Sequence, residues 1–110
     1  MAASETLDKV KSLVEEGRVL VSAHGYDELA ADGIFFDEIL AGLSGACVVE
    51  DYPTASKGPS VLVLQKDSQD RAIHVVWGIP KDATGPAVLV TSYRPDPARW
   101  SDDFKERRKP

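Results

Sequence analysis

The chain has 110 residues, 43% of them hydrophobic and 28% charged, with a net charge of −5. That length suits one domain and is too short for two independent cores, and the composition excludes a disordered chain. A positive field over the whole chain, as carried by proteins that grip nucleic acid chiefly through its phosphates, is excluded too.

Ser4 is placed to cap a helix over residues 5–16, where Leu7, Val10, Leu13 and Val14 recur at helical spacing before Gly17. Residues 18–22 are a short extended segment. A second helical stretch runs from Ala23 to Ala31 and stops before Gly33. A third starts near Phe36 with Asp37 as its cap, and puts Ile39, Leu40 and Leu43 on one apolar face up to Gly45.

Beyond Gly45 the pattern is that of strands: Cys47–Tyr52, Val61–Gln65, Ala72–Ile79 and Ala87–Tyr93. Residues 54–59 form a loop, 66–71 a hairpin connection and 80–86 a further turn. Pro95, Asp96 and Pro97 stop the last strand. A charged tail follows over 98–110, in which Trp100 and Phe104, four residues apart, would meet on a helical turn or simply finish the core. Strand 72–79 is apolar on both faces, so helices cover one face and the tail or a partner covers part of the other. The expected fold is a single α+β domain over 1–110, with N-terminal helices on a curved antiparallel sheet of about four strands.

No apolar run approaches the ~20 residues of a membrane helix, and no basic segment leads into an apolar stretch near Met1, so neither a membrane partner nor a secretory signal is expected. With a single cysteine, Cys47, the expected compartment is the cytoplasm.

Few residues carry chemistry. His24 and His74 are the two histidines, and imidazole is the side chain that titrates near neutrality. His24, Cys47 and His74 lack metal-ligand spacing, so no metal and no cofactor are expected. Gly-x-Ser-x-Gly, the P-loop and the dinucleotide fingerprint are all missing, which removes the serine hydrolase, kinase and oxidoreductase readings. Glu50 and Asp51 are adjacent in a strand and point to opposite faces. Tyr93 and Arg94 close the last strand with a phenol and a guanidinium suited to a phosphodiester; structurally, they would instead finish the sheet edge and pair with a carboxylate.

The runs Ser22-Ala23-His24 with Gly33-Ile34, Glu50-Asp51-Tyr52-Pro53, Pro59 to Leu64, Ile73 to Val76, and Thr91 to Pro97 with Trp100 occur in an order that resembles a family of small domains of unknown function grouped with the RelE-like and MqsR-like toxins. The resemblance spans roughly residues 10–108. It implies a RelE-like fold and a toxin-like, metal-independent endoribonuclease or a diverged relative, with RNA as substrate and an antitoxin protein as partner. It gives His24, His74, Tyr93 and Arg94 as catalytic candidates and Arg71 as a substrate-binding one. Two positions often basic in that family are acidic here, Glu28 and Asp32. The competing reading is a non-catalytic interaction module, using the acidic helical half or an apolar sheet face that forms a homodimer.

Overall fold

A computed structural model describes residues 3–109; Met1, Ala2 and Pro110, the ends of the range expected for the domain, lie outside the described residues. Helix α1 is Glu5–Glu15, strand β1 Val19–Val21, α2 Ala23–Asp32 and α3 Phe36–Gly42, followed by a 3-10 turn over Leu43–Gly45. Strands β2 (Cys47–Tyr52), β3 (Ser60–Lys66), β4 (Ala72–Gly78) and β5 (Ala87–Tyr93) complete the chain's regular structure.

The sheet has five strands in the order β1-β5-β4-β3-β2, one more than expected. The extra strand is the short segment after α1, which pairs in parallel with β5 from Val19↔Ala87 to Val21↔Leu89. Three residues are too few to announce a strand by alternation; their partner, distant in sequence, makes them one. The other three pairings are antiparallel.

Two serines fasten helices to the sheet. Ser4 Oγ accepts from the N–H of Leu7 at 3.1 Å, capping α1, and donates to Asp51 Oδ1 on β2 at 2.9 Å. Ser22 Oγ accepts from the N–H of Gly25 at 2.9 Å and donates to the Val90 carbonyl on β5 at 3.0 Å. The second attachment brings α2 so close to β5 that a Cβ on Gly25 would lie 2.7 Å from the Leu89 carbonyl oxygen, so only glycine fits there. The cap expected for α3 differs: its N-cap is Phe35, with no side-chain hydrogen bond, and Asp37 lies inside the first turn.

The main core lies between the helices and one sheet face. Leu7, Val10, Leu13, Leu29, Ile34 and Ile39 pack on Val61, Val63, Ile73, Val75, Trp77 and Leu89. Gln65 is buried in this layer, donating to the Ile39 carbonyl at 2.7 Å and accepting from the Trp77 indole N–H at 3.2 Å, so it ties α3 to two strands. Its neighbours Leu62 and Leu64 are also buried but belong to the opposite face, outside the main core. A register shift in β2 between Val48 and Glu50 sends Val48 and Asp51 to the helix side, and Glu50 and Tyr52 to the outer side.

Two substitutions separate a used polar group from an unused one. Gln65→Leu orphans the Trp77 N–H and the Ile39 carbonyl and is expected to lower the urea-unfolding free energy by about 1–3 kcal/mol for each orphaned group. Ser92, buried with no hydrogen-bond partner for its hydroxyl among the described residues, is expected to tolerate alanine without loss in the same assay.

Candidate functional site

The outer face of the sheet is divided. Over one half lies the C-terminal segment 95–109, called the strap below. Its turns are built by Asp96, whose carboxylate accepts from the Ala98 N–H, and by Asp103, which accepts from Ser101 Oγ and the Lys105 N–H. Trp100 and Arg107 form an antiparallel bridge, and Phe104 takes a positive φ of 61° between them. The helical turn expected to join Trp100 and Phe104 is therefore a reversed loop. Trp100 alone is fully inserted, at 4% exposure; Phe104 is half-buried.

His74, at mid-β4, is the strap's anchor and is wholly buried at 0% exposure. Its Nε2 lies 2.8 Å from the Phe104 carbonyl and its Nδ1 lies 3.2 Å from the Tyr93 hydroxyl. A carbonyl only accepts, so Nε2 carries the proton; Nδ1 of the neutral ring then accepts from the Tyr93 phenol. The Trp100 ring stands edge-on to the imidazole, 4.5 Å between centroids. Over the indole, 4.7 Å from its centroid, sits the Arg107 guanidinium. Arg107 donates twice to Glu50, at 2.8 and 2.9 Å, and Glu50 accepts from the Tyr52 hydroxyl at 2.5 Å.

Environment sets the protonation states. Burial holds the His74 imidazole below its ordinary range, against the opposing pull of the Phe104 carbonyl. Burial also raises the Tyr93 phenol. The hydrogen bonds from Arg107 lower the Glu50 carboxyl more than its partial burial raises it, and Glu50 in turn raises the Tyr52 phenol.

A second polar cluster closes the β3–β4 hairpin. The Asp67 carboxylate is buried and accepts from the backbone N–H groups of Gln69 (2.8 Å) and Arg71 (2.9 Å), from Arg71 Nε (3.1 Å) and from Arg94 Nη2 (2.9 Å). Those bonds, led by the Arg71 backbone, lower its carboxyl to about 2. Arg94 also donates from Nη1 to the Ala72 carbonyl, while its backbone N–H donates to Asp32 Oδ2.

Of the five candidate residues, His74 and Tyr93 are brought into contact. Arg94 and Arg71 are turned onto Asp67, so their charges are spent on the hairpin and not on the His74–Tyr93 pair. His24 stands apart on the first turn of α2, its side chain 68% exposed and 3.7 Å from Glu28. The acidic residue at 32 has a structural job, fixing the Arg94 backbone. Glu50, Tyr52, Arg107 and Trp100 join the cluster without having been singled out as a site. Glu50 and Tyr52 were reachable through their i, i+2 spacing on one strand face, but Arg107 arrives only through the tertiary path of the strap. Among the described residues no group of three or more His, Cys, Asp or Glu side chains is placed to hold a metal ion.

Residues 21–94 match the profile of a family described as a domain of unknown function, DUF4258. The chain belongs to the DUF4258 family. No curated protein matches it, and no solved structure does. The DUF4258 match runs from the last residue of β1 through β5, with His74, Tyr93 and Glu50; the strap lies beyond it.

Acid is expected to act on this protein in two windows. His74 is depressed in the folded state, so its stabilising effect is full above about 6.5 and falls as pH drops through that value. Asp67 is also depressed, and its contribution, present above about 4, falls as pH approaches 2. Urea-unfolding midpoints should therefore decline between about pH 7 and pH 5 in the wild type, and that decline should vanish in His74→Gln. Asp67→Asn should instead remove part of the loss seen at lower pH, the remainder belonging to Glu50 and Asp103, whose carboxyls are also lowered.

Proposed function

We propose that this protein is a toxin-like, metal-independent endoribonuclease whose site is the outer sheet face bearing Glu50, His74, Tyr93 and Arg107. The supporting observation is that one sheet face holds two hydrogen-bonded pairs, Glu50 with Arg107 and His74 with Tyr93, on either side of the Trp100 ring. Those are the parts needed for attack of an RNA 2′-hydroxyl on the adjacent phosphate.

In this reading Glu50 takes the 2′-hydroxyl proton as the 2′-oxygen bonds to phosphorus. The bond from phosphorus to the 5′-oxygen breaks, and His74, neutral while buried and taking a second proton from solvent before the attack, gives that oxygen its Nε2 proton, leaving a 2′,3′-cyclic phosphate. Tyr93 holds the other ring nitrogen, and Arg107 stabilises the charge on the phosphorane oxygens. The net charge of −5 is offset locally, because Arg99, Arg107, Arg108 and Lys109 line a recess of about 380 Å3 on the strap. His24, Arg71 and Arg94 have no part in the chemistry.

A second reading, a non-catalytic module that binds a protein partner or a second copy, draws on the other half of the same face. There Val76, Gly78, Val88, Val90, Pro59 and Pro80 line an open, mainly apolar groove of about 440 Å3.

The deciding experiment is incubation of purified protein with mixed RNA in EDTA. The expected products end in 2′,3′-cyclic phosphate, and Glu50→Gln or His74→Gln should slow their appearance by about 10²–10⁴-fold. Well-folded wild-type protein that leaves the RNA intact, with or without mutations that loosen the strap, would retire the ribonuclease reading in favour of the binding module.

A further inference from the structure

The strap does more than cover the sheet: it occupies the reactive atoms one by one. The Phe104 carbonyl takes the His74 Nε2 proton donor at 2.8 Å. The Arg107 guanidinium takes both Glu50 oxygens, at 2.8 and 2.9 Å. Trp100 seals the imidazole from water and carries Arg107 on its outer face. With the strap seated, a substrate can reach neither the base nor the acid proposed above.

What holds the strap is divided between apolar insertion and exposed charge. The Arg107 side chain is about two-thirds exposed where it meets Glu50, and beside it Arg99, Arg108 and Lys109 border the same recess. Arg108 is committed to the Pro97 carbonyl and to Asp102, both within the strap. The recess on the strap is therefore cationic, although Asp96, Asp102, Asp103 and Glu106 nearly balance the strap's charge as a whole, and among the described residues its one arginine bond to the sheet, Arg107 to Glu50, is open to competition from a polyanion that reaches it.

Building on the ribonuclease reading, we propose that residues 95–109 are an autoinhibitory strap released by a single-stranded polynucleotide. Its phosphates draw Arg107 away from Glu50, and Trp100 and Phe104 then leave His74. Opening frees the Glu50 carboxylate, returns the imidazole to solvent, and leaves Arg107 holding the phosphate beside both. Substrate binding and unmasking of the site are thus one event.

The test reads exposure of His74 and does not require cleavage. The full-length protein is treated with diethyl pyrocarbonate and each histidine's modification is followed by peptide mass spectrometry, with exposed His24 as the internal reference. His74 is expected to be protected in the protein alone. It should react at least about tenfold faster with a saturating oligodeoxynucleotide, which has phosphates but no 2′-hydroxyl to attack, or in Trp100→Ala. The oligonucleotide effect should disappear in the double variant Arg99→Gln, Lys109→Gln, whose fold is checked by circular dichroism. His74 reacting as fast as His24 in the protein alone, or staying protected with the oligonucleotide bound, overturns the proposal. RNA cleavage is scored separately. Release of His74 with no RNA cut leaves the strap standing and removes the ribonuclease reading. RNA cut while His74 stays protected removes the strap and His74 as the acid, and leaves the activity to another site.

Discussion

The hydrogen bond from a wholly buried imidazole to the Phe104 carbonyl is the constraint on which the outer half of this protein depends. A histidine in the middle of a central strand has two nitrogens to satisfy, and leaving either unmet would cost about 1–3 kcal/mol. Tyr93, directly across the β4–β5 ladder, satisfies one; the other requires a partner from outside the sheet. The strap supplies it with a backbone carbonyl, and Trp100 then excludes water from the pair. Leu62 and Leu64, on the same outer face, are buried as well.

The same accounting explains where the charges went. Arg94 and Arg71 look like phosphate ligands in one dimension, yet a carboxylate buried at Asp67 needs counter-charges and hydrogen bonds, and these two arginines provide part of both. Arg107 looks like one residue of a nondescript basic tail, yet it makes the bidentate pair with Glu50 on the outer face. Local sequence indicates what a side chain is able to do; the nearest unmet electrostatic demand decides what it does.

Much of the architecture was legible because its causes are local. The Ser4 cap, the glycines at 17 and 33 that take positive φ, and the alternation in β4 and β5 each act within a few residues. The two-sided apolar character of β4 correctly called for cover on both faces. The parallel β1 was missed as a strand because three residues carry no period. The α3 cap was misplaced because Asp37 has the right chemistry two positions too late. The site was half legible: His74 and Tyr93 were visible as candidates in adjacent strands, but a register shift between Val76 and Trp77 sets them opposite each other, and Glu50 reaches the outer face because a bulge shifts β2; no local pattern announces either irregularity.

That bulge also bears on how copies of this protein meet. Strand β2 is a margin of the sheet, with an unpaired row of backbone groups of the kind another chain can extend. The irregularity between Val48 and Glu50 breaks the spacing of those groups, the Glu50–Arg107 pair stands charged beside them, and Pro53 ends the row. Ribbon-to-ribbon growth is thereby discouraged at this margin, which directs any self-association toward contact between faces and keeps a small sheet with a long uncapped side from propagating into fibres.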